Sequence, residues 1–246
     1  VLTDDPVHES KLNDFLQNTN GLDFISLHHY GNTAPQIECS GEEFLYINYT
    51  KQEFFIDTNK VRDKINLYKP NSNVRIVIDE TNPSSIQPDT WDQEQKGAAW
   101  YASALYWILR NNNTGTLYHE GTGGDGIYSY GMWTYPSLIT YPVYDMYKLF
   151  TKYNLDKSII VDSTENEFVN VLAVKNPEKI ITLINKADKI INVGINLDEI
   201  ISSYTDLKND EIYLIDGNNF NITLEPFEVS FYKINDFILV MLTEIV

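Results

Sequence analysis

The residues of this chain best suited to chemistry stand at the ends of short apolar runs. Glu80 follows the β-branched run VRIVID. His28 and Tyr30 close an earlier run, and His119 closes a later one. A carboxylate near imidazole and phenol groups can attack an electrophile or exchange protons with a substrate. A single acid at the end of a strand is more often a solvated residue, but three runs that each end on polar groups favour one wall of an active site.

The three runs predict parallel strands, because near-continuous apolar runs are typical of strands that are buried on both faces. These strands fall near residues 22–29, 74–79 and 115–119. Helical patterns accompany them, near residues 6–18, 58–68, 91–110 and 141–153. Alternating helices and strands are joined by right-handed crossovers, which brings the strands side by side. With a side-chain period of two, His28 and Tyr30 share one face of their strand, and His29 lies on the other.

After Asn154 the sequence changes to short apolar runs separated by Asn, Asp, Lys and Gly. Runs of this length, spaced by about ten residues with turn residues between them, predict an antiparallel β-sandwich. Pro226 interrupts the last run, residues 221–234, and predicts an edge strand or a bulge at that position. The expected fold class is therefore α/β plus all-β, with residues 1–154 as one domain and residues 155–246 as the second.

Together these features resemble the C-terminal part of a clan A retaining glycoside hydrolase, most of all family 39 with its β-xylosidases and α-L-iduronidases. The resemblance rests on the strand ending SLHHY (26–30), the strand ending IDE (78–80) and the GMW turn (131–133) before the last helix. It covers about residues 5–234. It implies strands six to eight of a (β/α)8 TIM barrel, followed by the sandwich.

The resemblance also implies roles for individual residues. Glu80 would be the nucleophile in a retaining hydrolysis of O-glycosidic bonds. His28 and Tyr30 would bind sugar hydroxyls and orient that carboxylate. Further substrate contacts are expected from a second set of ring-bearing side chains, His119, Trp91 and Trp133, although His119 can equally be read as a packed loop residue.

The sequence departs from the family at the general acid/base. The family places this group as the Glu of an Asn-Glu pair on the fourth strand, and nothing before the first helix here fits that strand. A whole barrel takes about 250 residues, so the first five strands are expected on a missing part or a partner chain, and the isolated chain is expected to be inactive. Glu120 is a weaker candidate for the second carboxylate. The alternative is a non-catalytic carbohydrate-binding or structural remnant of a glycosidase.

The segment 31–57 is long for a connection between a strand and a helix. It contains a group of aromatic residues, Phe44, Tyr46, Tyr49, Phe54 and Phe55. Aromatic faces stack on the apolar faces of sugar rings, which would make the segment a substrate platform. The other interpretation is a small hydrophobic core that holds the loop in place.

Composition limits the partners. The formal net charge of −17 argues against nucleic acid or an anionic membrane and suits a neutral oligo- or polysaccharide. The four histidines are scattered and no phosphate-binding loop is present, so no metal or cofactor is expected. The single cysteine, Cys39, excludes a disulfide within the chain. No signal peptide opens this sequence, which leaves an extracellular and a cytoplasmic location equally open.

Overall fold

The structure is a computed structural model. It describes residues 6–32, 43–84, 91–111, 114–118, 122–124, 131–154, 159–161, 166–175 and 178–235. The α-helices are α1 (Pro6–Asn18), α2 (Glu43–Lys51), α3 (Thr58–Tyr68), α4 (Gln95–Arg110) and α5 (Pro142–Asn154). The strands are β1 (Phe24–Asn32), β2 (Arg75–Ser84), β3 (Thr114–Tyr118), β4 (Thr122–Gly124), β5 (Trp133–Tyr135), β6 (Ile159–Val161), β7 (Val169–Lys175), β8 (Lys179–Asn185), β9 (Ile191–Asp206), β10 (Glu211–Leu224) and β11 (Val229–Asn235).

The three predicted parallel strands are confirmed. They form one sheet in the order β1-β2-β3, in which Ile25 pairs with Ile76 and Ile76 pairs in turn with Thr114. One face of this sheet packs on α1 and α3. That contact is made by a cluster of buried aliphatic residues, Leu16, Ile25, Val61, Ile65, Val74 and Ile76. The alternation along β1 and β2 therefore sends Ile25 and Ile76 towards these helices.

The segment after β1 differs from the expected long loop. It contains α2, which continues through a π-helical stretch, Gln52–Asp57, directly into α3. Its aromatic side chains were expected to form either a substrate platform or a small hydrophobic core. For Phe54 and Phe55 the second interpretation is correct. Phe54 is completely buried, and the ring of Phe55 lies 5.6 Å from that of Trp107. The side chains of Phe44 and Tyr46 lie outside the described residues.

The antiparallel part predicted after residue 154 is also confirmed, with corrected boundaries. Its strands form one sheet in the order β10-β9-β11-β8-β7-β6. The run 221–234 is two strands, not one, because Pro226 lies in the turn between β10 and β11. Proline cannot donate a ladder hydrogen bond, so a turn is the more favourable place for it.

The long hairpin β9–β10 is irregular in its middle. The pairing shifts between Leu214 and Asn219, and Gly217 in this stretch has φ +138°, a conformation that side-chain-bearing residues rarely adopt. Side chains of the hairpin then form a buried cluster with side chains of β8. The cluster includes Ile195 of β9, Phe220 and Ile222 of β10, and Ile181 and Leu183 of β8. These contacts cover one face of the antiparallel sheet.

Helices α4 and α5 lie against the opposite face of this antiparallel sheet. Ala102 and Leu105 of α4, Phe150 of α5 and Phe231 of β11 belong to one buried cluster. Phe150 and Phe231 meet edge to face, with ring centres 6.3 Å apart. Within the described part of the chain, no helix is both long and apolar enough to cross a membrane.

A buried polar network joins the helices to the antiparallel sheet. Asn170 of β7 donates from Nδ2 to Oγ of Ser103 in α4 at 2.8 Å. The same oxygen lies 2.8 Å from Oγ1 of Thr50 in α2. Buried polar groups must be hydrogen-bonded to avoid a desolvation cost of about 1–3 kcal/mol each. The network therefore fixes how the helical layer sits on the sheet.

Candidate active site

Three of the predicted site residues meet at the carboxyl ends of β1 and β2. The hydroxyl of Tyr30 donates a hydrogen bond to Oε1 of Glu80. Nδ1 of His28 lies 3.3 Å from Oε2 of the same carboxylate. The Glu80 side chain is 28% exposed, so it remains open to a ligand. The expectation that these groups converge, with the Tyr30 hydroxyl on the carboxylate, is confirmed.

A β-bulge places Glu80 on this face. Leu27 pairs with Ile78, but the next residue of β1, His28, pairs with Glu80 and skips Asp79. With unbroken alternation, Glu80 would share the face of Ile78, which is completely buried. The extra residue re-aims the carboxylate towards His28 and Tyr30, as bulges beside active sites often do.

The same bulge brings a second carboxylate to His28. Nε2 of His28 lies 3.5 Å from Oδ1 of Asp79, so the ring stands between Asp79 and Glu80. Because the His28 side chain is 57% exposed, solvent screens these contacts and each contributes little to stability. One of the two contacts reaches Glu80, the predicted nucleophile, and the other reaches Asp79.

Behind the strands, a buried aromatic cluster supports β1. His29 faces away from the site, as predicted, and its ring lies 5.4 Å from that of Phe54. Phe54 in turn meets Trp100 of α4 edge-on at 5.7 Å. Burial lowers the pKa of His29 to about 4, so this imidazole is neutral at pH 7. His29 is therefore a packing residue, distinct in role from His28.

Glu53, in the π-helical stretch next to Phe54, is a partly buried acid in an unfavourable setting. Its Oε2 atom is buried and has no hydrogen-bond partner among the described residues. Burial, followed by the negative charge of Asp57, raises the pKa of Glu53 to about 8. The charge of Asp57 is itself partly offset by Lys60, whose Nζ lies 3.1 Å from Oδ1. Glu53 is thus protonated at neutral pH, which the sequence did not reveal.

We expect Glu53 to make folding less favourable as the pH rises. Its pKa is 4.5 in the unfolded chain and about 8 in the folded one, so ionisation of the unfolded state removes stability between these two values. Glu53→Gln should abolish this loss, which amounts to about 4 kcal/mol. Urea unfolding of both proteins at pH 5 and pH 8 measures it. The lowered pKa of His29 makes the protein less stable as the pH falls below 6.5, but this effect is the same in both proteins. If the free energy of unfolding changed with pH in the same way for both proteins, the prediction would be contradicted.

The remaining predicted site residues have varied positions. Trp91 is 8% exposed, and Nζ of Lys96 lies 5.1 Å from the centre of its ring. Trp133 is partly buried and meets Tyr144 edge-on at 5.6 Å. His119, like Glu120, lies outside the described residues. Contacts of these residues with substrate stay predictions.

Two features of the site have no clear signal in the sequence. Asp79 was adjacent to the predicted nucleophile, but only the bulge brings it to His28. Gly31 lies where a Cβ atom would stand 2.4 Å from Nε1 of Trp100 and 2.7 Å from the carbonyl oxygen of Pro83. In the described parts of the chain, no three His, Cys, Asp or Glu side chains gather as a metal site would require.

Comparison with known proteins gives a consistent class of fold. No protein-family model matches the sequence, and no curated protein matches it significantly. Glycoside hydrolases are among the solved structures of similar fold. A GH51 arabinofuranosidase from Xanthomonas axonopodis pv. citri superposes with a TM-score of 0.65 at 12% identity, over 87% of this chain and 53% of that one. A monomeric β-xylosidase from Caulobacter crescentus CB15 gives 0.63 at 10% identity, over 92% and 59%.

The GH39 enzyme from Xanthomonas axonopodis pv. citri gives a TM-score of 0.59 at 12% identity, over 93% of this chain and 57% of that one. The chain therefore spans between half and three fifths of these enzymes. At such identities the likeness concerns the fold: a parallel α/β part and an antiparallel β part arranged as in glycosidases. It fits the resemblance noted in the sequence without selecting one family.

Proposed function

We propose that this chain is the C-terminal part of a retaining glycoside hydrolase, with Glu80 as its nucleophile. The observation that carries the proposal is the Glu80 carboxylate, turned by a bulge to the open face of β2 and held there by Tyr30 and His28. A binding module has no need to orient a carboxylate in this way. The fold shared with glycosidases supports the same class of substrate.

In this proposal β1, β2 and β3 are strands six to eight of a (β/α)8 barrel. The face of the sheet that would line the barrel is open, since Phe24 is 52% exposed and Ser26 and Arg75 are also exposed. An apolar side chain such as Phe24 gains stability when covered, which favours docking of the remaining strands. The covering part would be a segment of the same protein or a partner chain.

The reaction follows from the chemistry of a two-carboxyl site. An oxygen of Glu80 attacks the anomeric carbon of the sugar and forms a glycosyl ester, while the bond to the leaving oxygen breaks. An acid supplied by the covering part protonates that oxygen and then, as a base, activates the water that hydrolyses the ester. The Tyr30 hydroxyl and His28 keep the carboxylate in the orientation for attack.

Covalent trapping tests the proposal. A 2-deoxy-2-fluoro glycoside with a dinitrophenyl leaving group forms the ester slowly and needs no acid to assist departure, so it can label Glu80 without the fourth-strand acid. The reagent is prepared in xylosyl, arabinofuranosyl and glucosyl forms, so that three different sugars are tested. The chain is tested alone and together with whatever its upstream reading frame encodes. We expect label on the peptide that contains Glu80; label on another carboxylate, or none in either preparation, would refute the assignment.

A further inference from the structure

A second feature of the antiparallel sheet suits ligand binding and is separate from the site at Glu80. Tyr213 of β10 stacks on Tyr204 of β9, with ring centres 5.0 Å apart and planes 13° from parallel. Tyr204 stacks in turn on Phe220, at 4.5 Å and 19°. Tyr232 meets Tyr204 edge-on at 5.7 Å. The nearly parallel rings of Tyr213, Tyr204 and Phe220 thus form an aromatic stack, with Tyr213 at its outer end.

The inner rings of the aromatic stack are buried in the core, and the outer ring is exposed to solvent. Tyr204 is 8% exposed and Phe220 9%, whereas Tyr213 is 41% exposed. The inner rings therefore cannot move aside, and the outer ring is held flat against them. A rigid aromatic ring in water loses little conformational entropy when a ligand covers it, which favours binding. An exposed tyrosine without such backing would lack this advantage.

Two carboxylates, those of Glu211 and Asp206, lie near the open ring. The hydroxyl of Tyr213 donates a hydrogen bond to Oε2 of Glu211 at 2.6 Å. This bond restricts movement of the ring within its plane. Glu211 pairs across the hairpin with Asp206, as Tyr213 pairs with Tyr204, so all four side chains lie on one face. This bond, followed by desolvation and the negative charges of Glu211 and Asp206, raises the pKa of Tyr213 to about 12. The surface offers hydrogen-bond acceptors around a flat apolar ring.

We propose that Tyr213, with Glu211 and Asp206, forms a binding surface for a neutral glycan. Hydroxyl groups of a sugar donate to the carboxylates, while the apolar face of one sugar ring covers Tyr213. Proline-rich peptides fit less well, because their carbonyl groups need donors. A quaternary ammonium group also fits less well, because it is usually enclosed by several rings at angles to one another. This aromatic stack presents only one flat face. Anionic glycans are repelled by the two acids.

Affinity electrophoresis and calorimetry on the whole chain test the proposal, with xylohexaose, cellohexaose and the corresponding polysaccharides as neutral probes. We expect Tyr213→Ala to weaken binding at least tenfold and Tyr213→Phe, which keeps the stack, to stay within about threefold of the unaltered protein. Leu214→Ala is the matched control, since Leu214 lies on the opposite face of the same strand and is 85% exposed. It should leave glycan binding unchanged.

Three results would overturn the inference. The first is equal affinity of the unaltered protein and Tyr213→Ala for the neutral glycans. The second is tighter binding of choline or of oligogalacturonate than of neutral glycans, and the third is a change of oligomeric state in Tyr213→Ala without a change in glycan affinity. Covalent labelling separates this surface from the proposed active site. Tyr213→Ala should lose glycan affinity but should be labelled by the fluoro-glycoside to the same extent as the unaltered protein, because Tyr213 has no place in the proposed reaction. If Tyr213→Ala lost both properties together, the loss would not be specific to this surface and the inference would be wrong.

Discussion

Glu80→Gln should reduce glycoside hydrolysis by at least about a thousandfold in the completed enzyme, with little change in folding. The amide keeps the shape of the side chain and an oxygen that accepts from the Tyr30 hydroxyl, but it cannot form the glycosyl ester. The stability cost is expected to stay below about 1 kcal/mol, because the lost contact with His28 is exposed to solvent. Release of dinitrophenol under single-turnover conditions, together with thermal unfolding, measures both quantities.

A matched control for this variant is Glu199→Gln. Glu199 is another surface glutamate, with Oε1 2.6 Å from Nζ of Lys179 on the antiparallel sheet, and it has no place in the proposed reaction. Its turnover should equal that of the unaltered protein. Near-normal turnover by Glu80→Gln would show that Glu80 is not the nucleophile. An equal loss in both variants would show that the effect comes from surface charge.

Gly31→Ala should destabilise the protein by about 3 kcal/mol and disturb the site next to it. The added Cβ would stand 2.4 Å from Nε1 and 2.6 Å from Cε2 of Trp100, and 2.7 Å from the carbonyl oxygen of Pro83. Trp100 is completely buried and Pro83 O belongs to the backbone of β2, so neither can move without cost. Since Tyr30 precedes this residue, its hydroxyl should lose alignment with Glu80. Urea unfolding and the trapping rate report the two effects.

Gly194→Ala is the control for a glycine within a strand. Its Cβ would meet only Oδ1 of Asn221, at 3.4 Å, which is an ordinary contact. Replacing a strand glycine reduces the entropy of the unfolded chain, so a gain of about 0.4–1 kcal/mol is expected. If both variants lost the same stability, the close approach of Gly31 to Trp100 would not be the cause.

The sequence by itself determined the elements and their order. Apolar runs ending on polar groups marked β1, β2 and β3, and the helical repeats marked α1, α3, α4 and α5. The same period of two put His28 and Tyr30 on one face and the buried His29 on the other. These features depend on local periodicity, which a sequence displays directly. The helix α2 was missed because its aromatic residues are spread without a clear amphipathic stripe.

The tertiary structure decided the details on which the chemistry depends. The bulge opposite His28 turns Glu80 away from the face of Ile78, although alternation alone would keep the two together. It also brings Asp79 to the other side of the His28 ring. Register between strands that are distant in sequence depends on packing against the rest of the sheet, and no local pattern encodes it. The stack of Tyr213 on Tyr204 and Phe220 likewise depends on the pairing of β9 with β10, which is irregular in the middle of the hairpin.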